Sequence, residues 1–88
     1  MKFIWRENNN GLYYIVYANR KKEVNMNLIP FVSYLFKINK QTIERFIKEN
    51  GGKKQLDNNY YFKNKNDVIN VINQLNTMKN KQWKNKWI

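Results

Sequence analysis

A chain with no cysteine and no histidine has to hold itself together by packing alone. Disulfides, thiolate metal sites and the usual zinc ligand sets are closed to it. Its 88 residues allow one domain, 1–88, with one modest core. The material for that core is present, since 42% of the residues are hydrophobic and three Trp, six Tyr and five Phe supply large rings. That content argues against disorder. The longest apolar stretch, Leu28 to Phe36, is far below the roughly 20 residues needed to span a bilayer. The opening run from Met1 to Glu7 is too short and too soon interrupted for a signal peptide. A soluble, cytoplasmic protein with no membrane partner is expected.

Local signals predict an α+β order. Lys2 to Arg6 alternates, and Leu12 to Ala18 is rich in Tyr and β-branched residues; between them lies Asn8-Asn9-Asn10-Gly11. Asn-Gly suits the positive backbone dihedrals of a type I′ turn, so an N-terminal β-hairpin is predicted. Both faces of its second strand are apolar; one packs on the core and the other has Tyr13 and Tyr17 to offer a partner or a third element. Arg20-Lys21-Lys22 reads as a charged loop. Leu28 to Phe36 fits a buried strand or a helix. A helix is preferred, because Asn27 can cap it and Pro30 falls in its first turn. Ile43, Phe46 and Ile47 share one face of a second helix that starts after Asn39 and stops at Gly51. Lys53 to Leu56 and Tyr60 to Phe62 flank Asp57-Asn58-Asn59 as a second, short hairpin. A last helix from Asp67 to about Lys79, capped by Asn66, carries Val68, Val71, Ile72, Leu75 and Met78 as its apolar stripe. Residues 80–88 form a basic Trp/Lys tail in which Trp83 and Trp87 either seal the core or stand free.

The charge balance points to a partner. Seventeen Lys and Arg face six Asp and Glu, a net charge of +11. Lys, Asn, Ile and Tyr are all encouraged by AT-rich coding, but Glu has AT-rich codons too and is scarce. The missing acid is the informative feature. Self-repulsion of this size costs stability, and a polyanion relieves it, so nucleic acid is expected, DNA before RNA.

Catalysis is not expected. The carboxylates Glu7, Glu23, Glu44, Glu49, Asp57 and Asp67 are scattered, and Ser33 has no histidine to activate it. Nothing calls for a cofactor or a metal.

Residues 29–62 resemble the helix-turn-helix and winged-helix DNA-binding domains. The motif's buried spacing falls on Val32, Phe36, Ile38, Ile43 and Phe46, with small Ser33 where the helices cross, and Lys40-Gln41-Thr42-Ile43-Glu44-Arg45-Phe46 is similar to the start of many recognition helices. The departure is Lys37, where the family often has glycine. The resemblance implies that the hairpin from Lys53 to Phe62 is the wing and that Lys40, Gln41, Arg45 and Lys48 face the major groove. Glu44 either accepts from cytosine or pairs with Lys40 or Lys48. Arg20, Lys21, Lys22, Lys53, Lys54, Lys63, Lys65 and the tail would then meet phosphates. Two hairpins each followed by a helix are also similar to half of a LAGLIDADG homing endonuclease, without the motif helix that supplies its catalytic acid. The reading that follows is a small DNA-binding regulator of the kind phages and mobile elements encode. The alternative is a protein-interaction module or inhibitor that docks on a host enzyme, with Tyr13, Tyr17 and Tyr34 as anchors.

Overall fold

The computed structural model describes residues 2–24 and 27–86, with side chains described as far as Lys79. The order of elements is the expected α+β one. Strands β1 (Lys2–Glu7) and β2 (Tyr13–Ala18) form the N-terminal hairpin. Its turn differs from the type I′ expectation: Gly11 has a positive φ of 76°, but Asn10 does not. The link is a wider loop organised by Asn8, whose Oδ1 accepts from the Asn10 and Leu12 amides at 3.0 and 2.9 Å.

A short strand that sequence patterning did not reveal, β3 (Glu23–Val24), folds back beside β2. Two residues are too few to show alternation. The turn before it is held by Asn19, whose Oδ1 accepts from the Lys21 and Lys22 amides at 2.9 and 2.8 Å.

The run from Leu28 to Phe36 is a helix, α1, and it buries Leu28, Ile29, Val32 and Phe36. It stops at Lys37, which takes the left-handed conformation with φ 56° and ψ 43°. The Ser33 hydroxyl donates to the Ile38 carbonyl at 2.7 Å and closes the turn. Helix α2 (Lys40–Glu49) starts at once, with Asn39 Oδ1 accepting from the Gln41 amide at 2.8 Å. It ends in Asn50 and Gly51, the latter at φ 97°, as its position predicts. Lys37 therefore meets by strain a demand that glycine meets freely. A left-handed L-residue costs about 1–2 kcal/mol, and glycine returns about 0.4–1 kcal/mol of that through unfolded-state entropy. Lys37→Gly is expected to raise stability by about 0.5–1 kcal/mol. A urea denaturation midpoint below that of the parent would contradict it.

Strands β4 (Gly52–Lys54) and β5 (Tyr60–Phe62) make the second hairpin, and α3 (Lys65–Lys86) closes the chain. Here the sequence expectation is corrected. The cap of α3 is Asn64, whose Oδ1 accepts from the Asn66 amide at 2.9 Å, so the helix begins two residues before Asp67. The helix also runs on into the segment expected as a tail, as far as Lys86. The expectations for the side chain of Trp83, the tail lysines and Trp87 lie outside the described residues.

All strands are antiparallel in one sheet of order β1-β2-β5-β4. β2 is the hub. One edge pairs with β1 throughout; the other is shared between β5, through Tyr13 and Phe62, and β3, through Tyr17 and Val24. The second hairpin is thus part of the same sheet as the first. Strand alternation places Phe3, Trp5, Tyr13, Ile15, Tyr17, Tyr60 and Phe62 on one face. Against it pack Val32 and Phe36 of α1, Ile43 and Ile47 of α2, and Val68, Val71, Ile72 and Leu75 of α3, in a single core. All three helices thus spend their apolar sides on the same face of the sheet. β1 is an edge strand, but its Phe3 is clipped by α3: the Phe3 amide donates to Asn76 Oδ1 at 2.9 Å, and Asn76 Nδ2 donates to the Phe3 carbonyl at 3.0 Å. Among the described residues, no helix is long and apolar enough to cross a membrane.

Candidate nucleic-acid interface

The helical repeat of α2 sorts its side chains. Ile43 and Ile47 are buried and Phe46 is half-buried, all on the core side. Gln41, Arg45 and Lys48 follow one another at spacings of four and three, so they form one ridge on the opposite side, and all three are exposed. Lys40 is exposed at the helix start.

Glu44 proves to be a surface pair. Lys48 Nζ donates to Glu44 Oε1 at 2.8 Å. That bond and the lysine charge hold the Glu44 carboxyl below its ordinary range, with Lys54 adding to the effect, and the same bond pushes Lys48 up. Both groups are exposed, so the pair contributes little to stability. Beneath it, the buried Tyr60 hydroxyl closes no hydrogen bond of normal geometry. Burial, then the nearby Glu44 charge, pushes its ionisation up.

The other candidates do not form one patch. Lys53 and Lys54 are neighbours in sequence but point to opposite faces, because Lys54 is in register with Tyr60 and Lys53 with Tyr61. Lys54 joins the Glu44–Lys48 cluster, and Lys53 lies on the side of the sheet away from the helices. Arg20, Lys21 and Lys22 sit at the Ala18 end of β2, while Lys63 and Lys65 follow Phe62 at its Tyr13 end. Five residue steps of strand, about 17 Å, separate those ends. Lys65 is committed in part to Trp5, its Nζ lying 4.4 Å from the ring centroid. All eleven candidates are exposed. Among the described residues there are two ion pairs, Lys48–Glu44 and Arg6–Glu23, so Lys40, Arg45, Lys53, Lys63 and the Arg20–Lys22 turn are in neither.

The side of the sheet away from the helices carries a feature that sequence reading missed. Tyr14 and Tyr61 meet there with ring centroids 5.8 Å apart at 64°. The Tyr61 hydroxyl donates to Asp57, which lowers the Asp57 carboxyl and raises the Tyr61 phenol. The doublets Tyr13-Tyr14 and Tyr60-Tyr61 held the signal, since alternation must send one ring of each to either face.

The tyrosines expected as protein-docking anchors are corrected in part. Tyr13 and Tyr17 are half-buried on the core face, Tyr13 against Trp5 and Tyr17 against Phe3 and Phe31, because that is where the helices pack. Tyr34, 84% exposed, is open.

No family model, curated protein or solved structure matches the chain.

Proposed function

We propose that the chain binds nucleic acid, and that α2 meets duplex DNA as a recognition helix. The observation that supports this most is the α1–α2 unit itself: two helices joined by three residues, with a left-handed Lys37, a Ser33 hydroxyl sealing the turn, and the exposed ridge Gln41, Arg45, Lys48 just beyond it. A helix with its side chains is about 10–12 Å across, which suits a groove about 12 Å wide, and α2 offers ten residues along it. In this reading Arg45 pairs with guanine and Gln41 with adenine. Lys40 and Lys54 flank the ridge and neutralise phosphate, and the cations at the two ends of β2 add contacts outside the groove. Only Tyr34 is left open of the three anchors that the docking alternative would use.

The test is a titration with labelled duplex DNA across salt concentrations. Arg45→Ala is expected to weaken a preferred site by about 1–3 kcal/mol and to blur the preference. Lys54→Ala is expected to weaken all sequences alike and to lower the salt slope by less than a full contact, since Glu44 already screens it. Duplex binding untouched by Arg45→Ala would sink the α2 reading.

A further inference from the structure

We infer that the sheet face opposite the helices is a second nucleic-acid surface, one for single strands. The inference takes its partner class from the nucleic-acid reading but shares none of the α2 residues. It rests on a row that runs straight across the sheet. Arg6 on β1 is in register with Tyr14 on β2. Tyr14 meets the Tyr61 ring on β5. Tyr61 is in register with Lys53 on β4. The row is cation, aromatic, aromatic, cation over three strand spacings, or about 14 Å.

Each part suits an unpaired strand. Base–aromatic stacking does not depend on sequence, because every base has a π-face. A tilted edge-to-face contact occupies one of the pair's four ring faces, and both tyrosines are half-exposed. The hydrogen bond to Asp57 takes Tyr61 by its hydroxyl, which steadies the ring without using a face. The surroundings carry complementary charge. Lys2 shares this face by alternation, and Arg20 lines a shallow hollow with Lys2, Ile4 and Ala18 at its rim. Two acids stand near the row: Asp57, which the Tyr61 hydroxyl engages, and Glu23, which Arg6 already neutralises at 3.1 Å. That pair is exposed on both sides, so a phosphate can take the arginine over at little cost. A duplex, whose bases are stacked inside, has nothing to place on the two rings. The row therefore selects unpaired bases.

The test titrates the full chain with a labelled oligothymidylate and, separately, with a mixed-sequence duplex. Tyr14→Leu and Tyr61→Leu are each expected to weaken oligothymidylate binding about 5- to 100-fold and to leave duplex binding unchanged. Tyr61→Phe keeps the ring but gives up its tether to Asp57, and is expected to stay close to the parent, losing far less than Tyr61→Leu. Lys53→Gln, at an exposed position, is expected to lower the single-strand salt slope by about 0.7. Arg45→Ala is expected to leave single-strand affinity alone, which separates this surface from α2. The inference is overturned if the parent ignores oligothymidylate at low salt, if folded leucine variants bind it undiminished, or if their loss extends equally to duplex. Should the leucine variants fail to fold, an unchanged salt slope in Lys53→Gln overturns it, and a lowered slope together with Tyr61→Phe binding close to the parent's supports it.

Discussion

Phe62→Ala is expected to lower the stability of the fold by about 3–5 kcal/mol, the usual cost of emptying a buried aromatic site. Phe62 has 0% exposure, and it is the residue through which β5 pairs with β2. On its other side it is in register with Gly52 of β4. One side chain thus stands where the two hairpins are fused and where α3 covers them. The cavity left by its loss has rigid walls on the sheet side and collapses poorly. With about 4–8 °C per kcal/mol for a domain of this size, the melting temperature should fall by more than about 12 °C. A circular-dichroism melt displaced by only a few degrees would mean that the hairpins are held together elsewhere.

Gly52→Ala should be the second most damaging change, at about 1–3 kcal/mol for a single added methyl group. The backbone at Gly52 needs no special dihedral; the constraint is space. A Cβ there would lie 2.4 Å from Ile47 Cγ2, 3.0 Å from the Ile47 carbonyl oxygen and 3.2 Å from Phe62 Cζ. Ile47 is 1% exposed and cannot swing aside. α2 would have to lift away from β4. Ile47→Leu removes the offending Cγ2, so the double variant should recover part of the loss while the contact with the carbonyl persists. Equal stability of Gly52→Ala and the parent in urea would show that α2 tolerates the shift.

The pair Gly51-Gly52 marks where the sequence could be read and where it could not. Gly51 announces a helix stop through its own dihedrals and behaves as one, although its Cα also faces α3, where a Cβ would lie 2.5 Å from Asp67 Oδ2. Gly52 serves a contact between elements, and nothing beside it in the chain says so. The same division runs through the fold. Asn39 and Gly51 bound α2 by local chemistry and were legible. Asn64 and Asn66 both suit a cap, and only packing selects the first. The pairing of Tyr13 with Phe62 joins residues 49 apart, with no local mark. In the candidate site, exposure followed from charge, but neighbourhood did not. Lys53 and Lys54 part company because a strand alternates, and Tyr14 and Tyr61 come together because two strands share β2.

The Asn76 clip has a consequence for how the molecule behaves in a crowd. An exposed edge strand is a template on which another chain can add its own. At Phe3 the template is already filled, because a carboxamide offers the same donor and acceptor as a peptide group and occupies the slot a foreign strand would need first. The sheet ends there in a stopper drawn from its own helix. Opening it by Asn76→Leu would leave a fold with most of its contacts and a new tendency to grow at one side.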